Sequence, residues 1–416
     1  MIDFRKAQEL VLQRAQSFGA ETISLEQAAG RVLAETIRAD RDYPPFDRAS
    51  MDGYAVRFGD LEKGIRRFLV IETLLAGFEP KRLIGEGECY KIMTGAAVPT
   101  GAGAEANVII RRENTGESDG IMTLPELPVE ALPAATLPAP ADPRFPWRPF
   151  QNIARMGEDL QSGDIVIDRP CVCEPPVMGL LATLGYITVR VQRLPAIGLL
   201  TTGDEVVAAG DAVSPVQIRN SNRWMLESAL KKTGVSLGAW DHAPDEPRQI
   251  RQRMEALLEN DVLICCGGVS AGDADYLPEV LAAMGAEKLF HKVAMRPGKP
   301  VWCGLSKQGK MIFALPGNPF SCLVNMTLLI APYLRGCFGL PPLEPLGLPM
   351  GTARIKRSPL DEFFPVHVCG SPARPTPVTL NGSGDIRLGR QANALALHPA
   401  TEGDLSEGTL VSCYSL

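Results

Sequence analysis

With 416 residues, the chain is too long for one ordinary domain, and two to four are expected at about 100–200 residues each. Hydrophobic residues (45%) and charged residues (22%) occur at ordinary globular levels, and a net charge of −6 with no offsetting basic run excludes a nucleic-acid footprint. An acidic chain that binds an anion must do so locally, through backbone N–H groups, a few Arg or Lys side chains, or a bound cation.

The first residues begin with charge and helical spacing, with Ala7, Leu10, Val11 and Ala15 on one side of an amphipathic helix expected over 4–18. They carry no signal-peptide core, and no run reaches the ~18 apolar residues of a membrane span, so the expected location is the cytoplasm, with no membrane partner. A second helix is expected in "LEQAAGRVLAE", followed by a bend at Pro44 and Pro45 and a tight turn at Gly53. Residues 68–124 alternate short apolar runs with Gly and Pro and predict β structure, whereas the proline-punctuated residues 124–149 predict an extended linker.

From Pro195 onward, "PAIGLLTTGDE" predicts a strand and turn, "SNRWMLESALKKTG" a helix, and "VSLGAW" a strand. They are followed by "PRQIRQRMEALLEN" as a helix, "DVLICC" as a strand and "YLPEVLAAMG" as a helix. This alternation predicts a parallel sheet covered by helices on both faces, with ligands beyond the carboxyl ends of its strands. The tail after Leu340 is again punctuated by Pro and Gly and predicts a small β domain. The ten cysteines include no CxxC, and with only four histidines there is no zinc spacing; buried reduced thiols are the expected state.

Chemistry collects on the predicted rim. In "GGVSAGDADY", Gly267 and Gly268 permit φ > 0 and close approach of a phosphate, and Ser270 adds a hydroxyl donor. Asp273 and Asp275 would repel that phosphate unless a hard cation lies between them, and Mg²⁺ takes one or two carboxylates together with phosphate oxygens. A glycine turn with an aspartate helix cap remains the plainer alternative. "TTGDE" repeats the pattern with Glu205, and "HAPDEP" adds Asp245 at another strand end; each alone is also compatible with a simple turn. Positive charge enters at "AMRPGKP" with Arg296 and Lys299. "ALPGNPFSCLVNM" then opens a helix at Pro316–Pro319 whose free N–H groups suit a second anion, or which is merely a proline-led helix start.

"MDGYA", "KIMTGAAVP", "NIARMGEDL", "TTGDEV", "SNR", "GGVSAGDADY", "RPGKP" and "LPGNPFS" occur in one order over the whole chain. In this the sequence resembles the molybdopterin molybdenumtransferases, the MoeA-like proteins related to the E domain of gephyrin. The resemblance implies a multidomain α/β plus β subunit in four parts. These are an elongated domain (1–45 plus 160–192), an inserted, mainly β "MDGYA" domain (46–159, carrying the Pro-rich insert 124–149), a molybdopterin-binding-like three-layer α/β domain (193–338) and a C-terminal β domain (339–416). It implies a homodimer whose cleft combines the α/β domain of one subunit with the "MDGYA" domain of the other. The implied reaction takes adenylylated molybdopterin and molybdate, requires Mg²⁺ and releases AMP. Possible protein partners are the molybdopterin adenylyltransferase and recipient molybdoenzymes.

Matching residues carry the implied roles. Glu205, Asp245 and Asp275 would hold the metal and serve the pyrophosphate, while Gly267, Gly268 and Ser270 would cradle the pterin phosphate. Asn222 and Arg223 of "SNR" join the cofactor-binding set. Asp52, Thr94 and Asp159 would reach in from the other subunit. Arg296, Lys299 and Ser321 would face molybdate, with Pro316 and Pro319 shaping the rim. Two departures stand out: Arg296 replaces the lysine of many relatives, and "SPLDEFFPVHV" lacks the Gly-Arg…Phe-x-Arg pattern of the last domain, which predicts weaker molybdate binding. The alternatives to an active transferase are a molybdopterin-binding carrier or scaffold, and the adenylyltransferase that acts one step earlier.

Overall fold

A computed structural model describes residues 1–99, 106–125, 146–269, 276–385 and 387–416. Ser270, Asp273, Asp275 and most of the expected linker lie outside the described residues. The chain forms two compact units, one of Met1–Glu35, Arg169–Gly179 and Ile187–Leu416, the other of Thr36–Asp168 and Leu180–Tyr186.

The second unit is organised by a six-stranded sheet in the order Val108–Arg111, Gly53–Val56, Glu88–Ile92, Arg67–Leu74, Ile121–Thr123, Gly116–Ser118. Alternation along Gly53–Val56 sends Tyr54 and Val56 to one apolar cluster and Ala55 to another, so the strand is buried on both faces. The β structure expected over 68–124 is present.

In the first unit, a second six-stranded sheet runs Leu237–Ala243, Ile197–Thr202, Val262–Cys266, Met311–Leu315, Trp302–Leu305, Glu287–His291. Its first four strands are mutually parallel, as expected. The last two join antiparallel, so the sheet is mixed. Both faces are buried: Leu199, Ile264 and Phe313 belong to one cluster, Leu200, Leu263 and Ile312 to the other. The helices Asn222–Lys232, Pro247–Leu257 and Leu277–Ala283 follow the expected pattern.

A long helix starts at Pro319, widens to a π turn over Met326–Ile330 and continues through Ala331–Cys337. By length and composition, Pro319–Cys337 could cross a membrane, contrary to the expectation that no such segment exists; 67% of its most apolar window is buried inside the protein, the environment of a core helix. The tail forms the expected β structure, a sheet ordered Met295–Arg296, Asp361–Cys369, Ala394–His398, Leu410–Ser415, Leu346–Pro349. Its first strand comes from the "RPGKP" region and pairs in parallel, Met295 with Asp361 and Arg296 with Glu362.

Two helix expectations need correction. The N-terminal helix, capped by Asp3 Oδ1 accepting from the Lys6 amide, ends at Leu12 rather than near residue 18. "LEQAAGRVLAE" forms only the 3₁₀ turn Leu25–Gln27; Gly30 turns to φ +76° and Val32 and Leu33 then bridge to Val172 and Val191. Pairing of the β-branched and apolar residues there prevails over the helical spacing.

Gly53 of "MDGYA" has a packing reason to be glycine, since a Cβ there would lie 2.1 Å from the Ile110 carbonyl oxygen on the adjacent strand. Gly53→Ala is expected to destabilise the protein by at least about 1–3 kcal/mol, the usual range for overpacking. Denaturant unfolding checks this, and an unchanged midpoint would mean that the strands separate without strain.

Candidate functional site

Four parallel strands end on one rim, and the turns that follow them line a single cleft of about 1520 Å³. Ile197–Thr202 delivers Thr202, Gly203 and Glu205, while the turn after Leu237–Ala243 delivers Asp245. Val262–Cys266 runs into Gly267 and Gly268, and Met311–Leu315 into Pro316, Gly317, Asn318, Pro319 and Ser321. The opposite wall comes from Arg296–Lys299 and the C-terminal sheet. Drug-sized ligands occupy about 300–1,000 Å³, so this cleft has room for more than one small substrate.

Its floor is shaped for close approach. Gly267 sits at φ +104°, and a Cβ there would meet Thr202 Oγ1 at 2.5 Å. Thr202 is 6% exposed, and its hydroxyl has no hydrogen-bond partner among the described residues. The helix that begins at Asn222 is tied to the same floor, because Asn222 Nδ2 donates to the Gly317 carbonyl at 2.6 Å. Ser321, 4% exposed, lines the cleft in the first turn of the long helix. Cys266 also reaches the lining, but the Cys322 thiol 3.8 Å away, together with burial, pushes its thiol well up, so a reactive thiolate is not on offer.

The charges come from two sides, with one exception on each: Arg219 lies beside the Glu205 turn and Glu362 beside Arg296. Glu205 and Asp245 lie on the strand-end rim, whereas Arg296, Lys299, Arg354 and Arg357 lie toward the C-terminal sheet. Arg296 Nη1 donates to the Arg357 carbonyl at 3.4 Å, and among the described residues Arg296, Lys299 and Arg357 form no ion pair. Arg354 differs: its Nη1 donates to Glu362 Oε2 at 2.7 Å and to His398 Nδ1 at 2.5 Å, and its guanidinium stacks on Phe364 at 4.0 Å. His398 is fully buried and its Nε2–H donates to the Gly403 carbonyl.

Glu205, Asp245, Gly267, Gly268, Asn222, Arg296, Lys299, Pro316, Pro319 and Ser321 are thus brought together. Arg223 is not part of this lining; it lies between the rings of Trp224 and Trp240, at 4.4 and 4.2 Å. In the other compact unit, the amide and hydroxyl of Thr94 both donate to Asp52 Oδ1 at 2.7 Å and hold its carboxyl below the usual range. Asp159 is exposed there, and its amide donates to the Tyr43 carbonyl.

Thr202, Arg354 and Arg357 were not anticipated from the sequence. Three cations within four residues in "RIKR" are the signal that the sequence offers for them. The expected deficit of positive charge in the last domain is therefore corrected in part: arginines line the cleft, from a different segment.

Among the described residues, no group of three or more His, Cys, Asp or Glu could hold a metal by itself. The oxygen donors Glu205 and Asp245 fit a hard cation that completes its shell with phosphate oxygens.

Burial, aided by Lys356 and Arg354 and opposed by Glu362 and the Gly403 hydrogen bond, holds the His398 imidazole below its ordinary value of about 6.5. The folded form keeps it neutral, so the unfolded chain takes up this proton first and stability falls as pH drops below about 6.5. His291, also held low by burial, adds to the same slope. His398→Gln is expected to flatten the dependence of unfolding free energy on pH between about 6.5 and the lower folded value. An unaltered slope in denaturant titrations would remove His398 from the acid response.

Two family models match the chain, the MoeA N-terminal region (domain I and II) over residues 2–185 and the probable molybdopterin binding domain over residues 198–336. The molybdopterin molybdenumtransferase of Staphylococcus aureus is 31% identical over 419 residues, covering 99% of this chain and 94% of that protein. The protein of the same name from Staphylococcus epidermidis is 31% identical over 398 residues, with 94% and 89% covered. Among solved structures, the molybdopterin biosynthesis MoeA protein of Pyrococcus horikoshii superposes with a TM-score of 0.82 at 25% identity, all of both chains being covered. A further crystal structure of molybdopterin biosynthesis MoeA protein from that organism gives 0.78 at 29%, covering 100% of this chain and 99% of the other. With relatives this similar over nearly its full length, the chain belongs to the molybdopterin molybdenumtransferase family.

Proposed function

We propose that this enzyme of molybdenum cofactor biosynthesis takes adenylylated molybdopterin and molybdate, cleaves the pyrophosphate link with Mg²⁺, releases AMP and leaves molybdenum on the pterin dithiolene. One observation supports the reading: a single cleft holds a glycine cradle, the strand-end carboxylates Glu205 and Asp245, and the cations Arg296, Lys299 and Arg357, which form no ion pair among the described residues. A pterin phosphate and a pyrophosphate suit the cradle and the carboxylate rim, and a tetrahedral oxyanion suits the cationic wall.

In this reading, the turn at Gly267 and Gly268 receives phosphate, with Ser270 as a further donor and the Thr202 hydroxyl as an unengaged one. Glu205 and Asp245, with Asp275, would hold Mg²⁺, which when bound neutralises charge on the departing phosphate. Arg296 and Lys299 hold molybdate beside the dithiolene, Ser321 contributes a hydroxyl, and Pro316 and Pro319 stiffen the rim. Asn222 keeps the Pro316–Pro319 turn in place through Gly317. Arg223, stacked between two indoles, is assigned a supporting rather than a contacting part. Asp52, held ionised by Thr94, and Asp159 act from the second subunit of a homodimer in the cytoplasm, with the adenylyltransferase and recipient molybdoenzymes as protein partners.

The test is incubation of purified protein with adenylylated molybdopterin, MgCl₂ and molybdate, measuring AMP release and protein-retained molybdenum separately. Both are expected for the wild type. Glu205→Gln should lower AMP release by about ten- to hundredfold at limiting Mg²⁺, with recovery as Mg²⁺ is raised, the size of one lost charged contact. Retention of pterin without AMP release in the wild type would favour the carrier alternative, and Mg²⁺-independent release would remove the metal role.

A further inference from the structure

Within the altered stretch, the residues that line the cleft are Leu360, Glu362, Phe363, Phe364 and Pro365, none of them positive. The preceding segment is built differently. The Arg354 amide and carbonyl exchange hydrogen bonds with Leu405, both at 2.8 Å. The Lys356 amide donates to Asp404 Oδ1 at 2.7 Å, and its ammonium donates to the carbonyls of His398 and Pro399. The Arg357 amide points to Glu362 Oε2 at 3.4 Å, the same oxygen that accepts from Arg354. The backbone is thus pinned at three of four positions, and the side chains at 354 and 356 are used in pinning it.

Arg354 cannot also serve a ligand as a free cation, because its side chain is 14% exposed and paired with Glu362, itself 4% exposed. Arg357 is exposed, lines the cleft and forms no ion pair among the described residues. Its carbonyl accepts from Arg296, so the two guanidinium-bearing residues are linked on one wall. A guanidinium that forms no ion pair among the described residues, on a segment held by hydrogen bonds to its backbone, suits a doubly charged tetrahedral oxyanion.

We propose that Arg357 is a contacting residue for the oxyanion substrate, and that Glu362, Arg354 and His398 are positioning residues that hold it on the cleft wall. The identity of that anion as molybdate rests on the molybdenum-transfer reading; the placement of Arg357 does not. The arrangement supplies positive charge from the segment that directly precedes "SPLDEFFPVHV".

Calorimetric titration of the full-length protein with sodium molybdate, without pterin, tests the contact directly. Arg357→Ala should weaken molybdate binding by about ten- to hundredfold. Arg357→Lys should recover part of the loss, since a point charge replaces a planar fork. Glu362→Gln should weaken binding with Arg357 still present, and in the double variant Arg357→Ala/Glu362→Gln the second change should add little. If Glu362→Gln does not fold, His398→Gln takes its place in the same cycle. Wild-type affinity in Arg357→Ala, or no molybdate binding by the wild type, overturns the contact; fully additive losses overturn the positioning role. A wild type that binds molybdate in an Arg357-dependent way yet releases no AMP would overturn the transfer reading and leave this inference standing.

Discussion

Pairing of two residues, Met295 and Arg296, with Asp361 and Glu362 is the constraint on which the cleft depends. Two parallel pairs are weak by themselves. Here they are backed by the fully buried Met295 and by Phe363, 1% exposed, in the same apolar cluster that covers one face of the α/β sheet. The register sets Arg296 beside Glu362, and Glu362 in turn gathers Arg354 and the Arg357 amide. Cations from positions near 296 and near 357 therefore share a wall although some sixty residues separate them in sequence.

Segregation of charge is what makes such a cleft useful. Were Glu205 or Asp245 placed among Arg296, Lys299 and Arg357, each cation would be neutralised before a ligand arrived. The fold largely avoids this by drawing Glu205 and Asp245 from turns after parallel strands and Arg296, Lys299 and Arg357 from the C-terminal side, where the one lining carboxylate, Glu362, is taken up by Arg354. Arg354 shows the alternative outcome, a cation consumed by a buried carboxylate and converted into scaffold. Oriented charges that need no rearrangement when substrate binds are the largest general source of electrostatic stabilisation in enzyme sites.

The parallel strands and their shared rim were legible in the sequence because buried runs such as "DVLICC" and the glycine turns after them carry strong local signals. The rim residues Glu205, Asp245, Gly267 and Gly268 could be read for the same reason. The "LEQAAGRVLAE" segment was misread because helical spacing is local, whereas the bridges of Val32 and Leu33 are made to residues more than 130 positions away. Arg357 escaped for a related reason. Its place on the cleft wall comes from Glu362, Asp404 and Leu405 fixing the backbone around it, a tertiary fact that no spacing rule encodes. Arg223 was marked by its motif as a ligand-binding residue; its stacking against Trp224 and Trp240 is likewise a tertiary fact that the motif does not encode.

The π turn at Met326–Ile330 has a consequence for phase. A regular α-helix advances about 100° per residue, and a π turn accommodates one extra residue without extending the α-helical count. Upstream, the helix must present Phe320 and Ser321 toward the cleft; downstream, it must bury Tyr333, Leu334 and Cys337. The wide turn absorbs one residue between those two faces and keeps them in phase. Removing one residue within the wide turn would leave a more regular helix with both faces still in phase, whereas adding or removing one in the α-helical turns on either side would rotate one end by about 100° against the other. Either Ser321 would leave the cleft or the Tyr333 face would leave the core. Helix length on either side of the wide turn is therefore fixed to the single residue, and the turn itself is the place where one residue can be lost.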